Sequence, residues 1–184
     1  EKEQDTDYII LENDKQIKFS KNAEIIVDYF SLSINNRKVI NRLYSNLDKI
    51  SEVYYLQKKD INSEIISLID DMVIASGYGN ITFNLDFNWQ DLFKIYDLKF
   101  SEEYDSFLER IINYIKTLSD LTELKVLFLV NIKSFLSPVE LEQLYDIVNY
   151  LKISIILIES RESVEKGREI RYIIDKDNCF IYAN

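Results

Sequence analysis

The stretch that decides the fold is Leu124-Lys-Val-Leu-Phe-Leu-Val-Asn131, followed shortly by Ser137-Pro-Val-Glu140. The continuous apolar run before Asn131 predicts a strand that is buried on both faces of a sheet. Ser137 can cap a helix, Pro138 suits its first turn and Glu140 completes a capping box. A helix is therefore predicted to begin here.

This helix is predicted to run to about Tyr150, and a second apolar run follows at residues 153–158. Strand, helix and strand at this spacing predict a parallel crossover, which is right-handed in nearly all proteins. Two short segments at 171–174 and 179–182 flank a polar turn and predict a closing hairpin.

The first part of the chain also predicts strands. Residues 8–11 and 16–19 flank Asn13-Asp14, which predicts a hairpin, and the branched apolar run at 23–30 predicts a buried strand. The middle has helical spacing instead, with a break at Gly77-Tyr-Gly79. Helices are predicted at residues 36–50, 61–75, 89–96 and 104–118, and a half-exposed strand or extended segment at 81–87.

The predicted fold class is α/β. A head of residues 1–35 and 119–184 carries the sheet, and a mostly helical leg of residues 36–118 is inserted into it. Apolar residues make up 47% of the 184-residue chain, as in globular proteins. No apolar run approaches the roughly 20 residues of a membrane span, so no membrane partner is predicted.

Missing residue types exclude several kinds of chemistry. There is no histidine, which excludes His-dependent triads, His-ligated zinc and imidazole acid–base catalysis. The single cysteine, Cys179, excludes an internal disulfide and multi-cysteine zinc sites. It is predicted to pack in the last strand of a cytoplasmic protein. The composition points away from small-molecule catalysis.

An ATPase needs a glycine-rich phosphate loop and an acidic metal ligand at the end of a strand. Only Gly77-Tyr-Gly79 resembles such a loop, but it follows a helix and lacks a Gly-Lys-Ser/Thr ending. Asn131 is a neutral amide, a weak magnesium ligand, and its commoner role is to bond turn backbone at a strand end. ATP hydrolysis is therefore not supported.

Several carboxylates are candidates for the two-metal arrangement that nucleases use. No family-specific spacing links them, so most are interpreted as solvated surface; a pair that did bind metal would favour calcium or magnesium. These candidates are Asp70, Asp71, Asp86, Asp91, Asp97, Glu102, Glu103 and Asp105.

The net charge of −10 normally argues against nucleic acid, yet residues 37–60 are net basic. Such a series can meet phosphate as a stripe, although an ordinary exposed helix face is the commoner structure. The series comprises Arg37, Lys38, Arg42, Lys49, Lys58 and Lys59.

Motifs along nearly the whole chain follow a recognisable order. They are residues 23–35, Phe83-Asn-Leu-Asp-Phe87, 91–94, 98–100, Leu127-Phe-Leu-Val-Asn131, 135–140, 155–162 and Tyr172-Ile-Ile-Asp175. Together they resemble the CRISPR-associated adaptation protein of subtype II-A systems, the Csn-two family. Each motif is short and apolar, so the specificity of the resemblance comes from order and spacing.

The resemblance implies a head related to P-loop ATPases without working nucleotide motifs, and a helical leg. It also implies a homotetrameric ring whose positive channel threads linear double-stranded DNA from its ends, assisted by calcium, during spacer acquisition and without nuclease activity. Residues 124–131 then form a framework strand with Asn131 at the vacated metal position. Family members carry a further opening segment before Tyr8, so a trimmed or shortened member with an exposed sheet edge is expected.

The DNA-binding candidates come from two sources. Lys94 and Lys99 match basic positions of the family's middle segment. The basic series contributes the others, which are Arg37, Lys38, Arg42, Lys58 and Lys59.

The calcium candidates are Asp86 and Asp91. The family's middle segment is rich in acids, whereas Asn84 and Asn88 replace two of them in this chain. Calcium affinity is therefore expected to be weak or absent.

Three hypotheses follow. The leading one is non-catalytic, sequence-independent binding of linear double-stranded DNA ends by a ring-shaped homotetramer. The alternative is an acidic scaffold that docks other CRISPR adaptation and effector proteins without contacting DNA. A metal-dependent nuclease ranks last.

Overall fold

A computed structural model of the protein describes residues 10–12, 15–161, 168–174, 177 and 179–183. The strands are β1 Ile10–Glu12, β2 Lys15–Ile17, β3 Ala23–Ile26, β4 Val126–Val130, β5 Ser154–Ile158, β6 Arg171–Ile174 and β7 Phe180–Ala183. The helices are α1 Phe19–Asn22, α2 Arg37–Ser51, α3 Tyr55–Ser76, α4 Trp89–Ile95, α5 Phe107–Leu121 and α6 Pro138–Tyr150, with 3₁₀ turns at Glu52–Tyr54 and Ile132–Ser134. The protein is therefore mixed α/β, as predicted.

The central sheet has the order β3-β4-β5, and all three strands are parallel. Ala23 pairs with Val126, which in turn pairs with Ser154. The predicted unit of strand, helix and parallel strand is confirmed as β4, α6 and β5. The predicted capping box is also confirmed, because the Ser137 hydroxyl accepts from the Glu140 backbone while the Glu140 carboxylate accepts from the Ser137 backbone.

Both predicted hairpins are present. β1 pairs antiparallel with β2, and β6 pairs antiparallel with β7. Residues 8 and 9 and the turn residues Asn13 and Asp14 lie outside the described residues. Phe19, which was predicted to end the second strand, instead begins α1.

The strand predicted over residues 23–30 ends at Ile26. The Asp28 carboxylate accepts hydrogen bonds from the backbone of Phe30 at 2.9 Å and from the Ser31 hydroxyl at 2.7 Å. These bonds make a local turn that competes with the strand ladder. The turn takes Tyr29 into the core, where it is only 1% exposed.

Two helices begin away from their predicted starts. α5 begins at Phe107, not near Tyr104, because the Ser106 hydroxyl accepts from the Glu109 backbone at 3.1 Å. α3 begins at Tyr55, six residues before its predicted start at Ile61. It ends at Ser76, and the break predicted at Gly77 is confirmed, because the φ of 71° at Gly77 is readily adopted only by glycine.

One hydrophobic cluster joins the sheet to the helices. Leu127 and Leu129 on β4, Ile111 on α5 and Leu144 on α6 are fully buried members of it, and Val39 on α2 joins them. Part of the predicted leg therefore shares its core with the predicted head. The division into head and leg stays a prediction.

Some apolar segments are less covered than their composition indicates. β4 is mostly buried, but every second residue of β5 is exposed, including Ile156 and Ile158. Residues 81–87 form no strand and bend at residues 85 and 86, and Cys179 is exposed instead of packed. Within the described ranges, no helix combines the length and hydropathy needed to cross a bilayer.

Candidate functional site

The carboxyl end of the parallel sheet is where ligands bind in many α/β proteins. Here β4 ends at Val130 and is followed by Asn131, which has a φ of 56°. Its side-chain oxygen accepts from the Ser160 backbone at 2.9 Å, and its own N–H donates to the Ile158 carbonyl at 2.8 Å. Asn131 therefore bonds turn backbone, the commoner of its two predicted roles.

Further hydrogen bonds close the same edge. The Tyr29 hydroxyl donates to the Val130 carbonyl at 3.1 Å, and the Lys133 backbone donates to the Glu159 carboxylate at 3.2 Å. Burial, and then the Glu159 charge, raise the pKa of Tyr29, so its hydroxyl stays a neutral donor. Because protein groups bond to one another across this edge, the polar strand end is explained without a nucleotide.

A groove of about 910 Å³ lies beside this edge, between β5, α6 and β6. The Lys133 ammonium lies 2.6 Å from the Glu169 carboxylate, which also accepts from the Tyr145 hydroxyl. Burial, followed by this hydrogen bond, raises the pKa of Tyr145. The Lys133 ammonium and the Glu169 carboxylate therefore hold the residues before β6 against α6.

Helix α2 carries the clearest surface of positive charge. Lys38, Arg42 and Lys49 are exposed and recur at intervals of four and seven residues, so they form one stripe along the helix. Lys38 is 2.6 Å from the Glu24 carboxylate. Arg42 and Lys49 have no ion pair in the described part of the chain. Arg37 is also exposed, beside the stripe.

Lys49 was not among the DNA-binding candidates. It belongs to the basic series, but its place in the stripe depends on helical spacing from Lys38 and Arg42. That periodicity was the sequence signal that could have added it.

The other candidate lysines differ in their surroundings. Lys58 pairs with Asp86 at 3.0 Å, whereas Lys59 is exposed and has no ion pair with any described residue. Lys94 pairs with Asp91 at 2.8 Å. Lys99 pairs with Asp97, whose hydrogen bond raises the pKa of the lysine. Three predicted DNA contacts outside α2 therefore have a carboxylate partner already.

The two predicted calcium ligands do not make a calcium site as they stand. Calcium takes six to eight oxygen ligands, usually including several carboxylates. Asp86 and Asp91 each face a lysine ammonium, and the described residues contain no cluster of three His, Cys, Asp or Glu side chains fit to hold a metal. Calcium binding stays a prediction.

Glu102, another of the two-metal candidates, bonds the backbone instead of a lysine. The Glu102 carboxylate accepts from the Ile34 backbone at 2.8 Å. Burial raises its pKa, but hydrogen bonds from Ser33, Ile34 and Asn35 outweigh this effect and leave the pKa lowered. Glu102 therefore acts as an ionised acceptor that fixes the turn before α2.

Comparisons with known proteins agree with the order of motifs. The family model described as CRISPR-associated protein (Cas_Csn2) matches residues 2–178. A protein named CRISPR-associated protein Csn2 from Streptococcus agalactiae is 22% identical over 185 residues, covering 97% of this chain and 80% of the relative. A protein of the same name from Enterococcus faecalis is 23% identical over 176 residues, covering 92% of this chain and 77% of the relative.

Proposed function

The chain belongs to the Csn2 family of CRISPR-associated proteins, and we propose that it binds the ends of linear double-stranded DNA during spacer acquisition. In this proposal four copies form a ring around the duplex. The protein binds phosphates without reading bases and catalyses no reaction. The fold, the positive stripe on α2 and the exposed apolar surfaces support the proposal.

The observation that carries the proposal is the stripe of Lys38, Arg42 and Lys49. At a rise of about 1.5 Å per residue it extends roughly 16 Å, which is long enough to meet several phosphates of a duplex. Arg42 and Lys49 have no ion pair with a described residue to break. Lys21 is the main cause of the lowered pKa of Glu123, and the charge of Arg42 helps to lower this pKa further. Phosphate contacts fix position without conveying sequence, so no base-reading side chains are required.

The long helix α3 supports self-association. None of its 22 residues, all within the described ranges, is buried. Ile61, Ile65, Leu68 and Met72 recur at intervals of four, three and four residues and are 40–61% exposed. This spacing forms an apolar stripe of the kind that pairs helices, and a stripe left in water is a marker of an interaction site.

Ring formation also reconciles DNA binding with the net charge of −10. A closed ring can turn α2 towards its lumen while the more numerous acids face outwards. A modest local excess of positive charge is then sufficient, because the lumen concentrates the field that acts on the duplex.

A second candidate function is an acidic scaffold for other CRISPR adaptation and effector proteins. The observation that favours it is the ion pairing of Lys38, Lys58, Lys94 and Lys99 with carboxylates. If those pairs persist, the DNA-binding surface is reduced to Arg37, Arg42, Lys49 and Lys59.

Solution mass and duplex binding, measured on the same sample, separate the two functions. The proposed function predicts a tetramer that binds a short linear duplex, with affinity that falls steeply as salt rises. A stable monomer that ignores the duplex at low salt would rule out the ring and leave the scaffold.

A further inference from the structure

The segment of residues 81–87 lies between α3 and α4 and is held by side chains. No backbone–backbone hydrogen bond anchors these residues, all of which the structure describes. Instead, the Asn62 amide donates to the Leu85 carbonyl at 2.8 Å, and the Phe87 ring packs edge-on against Trp89 at 5.3 Å. The course of residues 81–87 along α3 therefore depends on a few side-chain contacts.

Lys58 makes the central contact of this segment. Its ammonium lies 3.0 and 3.2 Å from the two oxygens of Asp86 and 5.0 Å from the centre of the Phe87 ring. The Asp86 carboxylate also accepts from the Phe87 backbone at 2.9 Å. One cation therefore meets a carboxylate and an aromatic face at once, which joins α3 to the segment.

Lys58 is placed to hold the neighbouring segment in position, whereas its neighbour Lys59 is placed to contact phosphate. The Lys58 side chain is only 21% exposed, whereas Lys59 is exposed and has no ion pair with the residues described. A DNA phosphate would have to compete with Asp86 for the Lys58 ammonium.

We propose that the Lys58 ammonium is the built-in counter-cation of this segment and replaces a divalent metal there. Lys58 contacts both oxygens of Asp86, so calcium would compete with this ammonium for the carboxylate, and Lys94 contacts one oxygen of Asp91. The leg therefore folds without calcium. The inference also covers DNA binding, and that part rests on the proposed function. We expect the duplex to bind equally tightly with and without calcium.

The test compares thermal unfolding and duplex affinity in chelator and in millimolar calcium, for the full chain and two matched variants. The melting temperature of the unaltered protein should not change with calcium. Lys58→Met should lower it by about 2–4 °C, whereas Lys59→Met, the same loss of charge one residue along, should leave it unchanged. In the Lys58→Met variant, the additional change Asp86→Asn should lower the melting temperature little further, because the two side chains act as one pair.

A melting temperature that rises with calcium in the unaltered protein, and no longer rises in Asp86→Asn, would overturn the inference. Equal effects of Lys58→Met and Lys59→Met on melting would do the same. Absence of DNA binding under both conditions would contradict the proposed function alone, since the melting comparison does not involve DNA. Duplex affinity that depends on calcium while melting does not would limit the inference to folding and refute its extension to DNA.

Discussion

The side-chain oxygen of Asn131 accepts a hydrogen bond from the Ser160 backbone at 2.9 Å, which joins the ends of β4 and β5. A P-loop ATPase would use an acidic residue at such a strand end to hold magnesium. Here the side-chain amide bonds to the backbone, and Asn131 itself has a left-handed conformation that asparagine tolerates better than most residues. The strand therefore keeps a structural role at the position where the resemblance places a lost metal ligand.

Asn131→Ala should destabilise the protein by about 2 kcal/mol. The change removes one hydrogen bond, worth about 1 kcal/mol, and places a Cβ-bearing residue without a local acceptor in the left-handed region, at roughly 1 kcal/mol more. Urea unfolding followed by circular dichroism measures the loss.

Two further substitutions at Asn131 separate these contributions. Asn131→Gly also removes the hydrogen bond, but glycine adopts the left-handed conformation without strain. The loss of stability should therefore be smaller than for the alanine variant. Asn131→Asp keeps the acceptor and should be nearly neutral, without gaining magnesium–nucleotide binding. Equal stability of the alanine and glycine variants would contradict the account of the backbone.

The double charge reversal Arg42→Glu with Lys49→Glu should weaken duplex binding and reduce its salt dependence. Each phosphate contact contributes a slope of about 0.9 to the fall of log affinity with log salt concentration, so the slope should decrease by roughly 1.8. Fluorescence anisotropy of a labelled duplex over a series of salt concentrations measures both. Lys116→Glu, an exposed lysine on α5, is the control and should leave the slope unchanged.

Leu68→Gln should weaken self-association about tenfold to a hundredfold, as expected when an interface loses one buried leucine. Leu68 is 56% exposed in the single chain, so the melting temperature of a dilute sample should change little. Leu56→Gln is the control, because Leu56 is 69% exposed but lies off the stripe. Analytical ultracentrifugation decides, and equal association of the two variants would remove α3 from the interface.

The Glu102 carboxylate should make stability fall in acid. Its pKa is lowered from 4.5 in the folded chain, so its contribution is fully present above that value and is lost as the pH falls through the lowered folded pKa. Glu102→Gln should therefore be less stable than the unaltered protein at neutral pH and similar to it in strong acid; because Glu102 is itself exposed and screened by solvent, the difference should be below about 1 kcal/mol. Glu103→Gln, a change at its exposed neighbour, should show no such difference.

Local signals in the sequence predicted the framework well. The capping box at Ser137, the left-handed end of α3 at Gly77 and the alternation of strand and helix after Leu124 act over a few residues, so the sequence states them directly. The early end of β3 was missed because Asp28 can either accept hydrogen bonds from the backbone of a local turn or sit within a continuing strand, and only the structure shows that it forms the turn. Both outcomes fit the same residues.

The candidate surface was only partly predictable. Lys58 and Asp86 lie 28 positions apart, and their pairing depends on how the chain after Gly77 returns along α3. No periodicity carries that information. The stripe on α2, in contrast, follows from helical spacing within one element, and this is why Arg42 and Lys38 were predicted from sequence and Lys49 could have been.

The most direct test of the account is competition between a linear duplex and a covalently closed circle of the same sequence and length. A ring that threads over free ends should be displaced from a labelled linear duplex by unlabelled linear DNA, and hardly at all by the circle. Equal competition by the two forms would show binding along the side of the helix and would contradict the threaded ring.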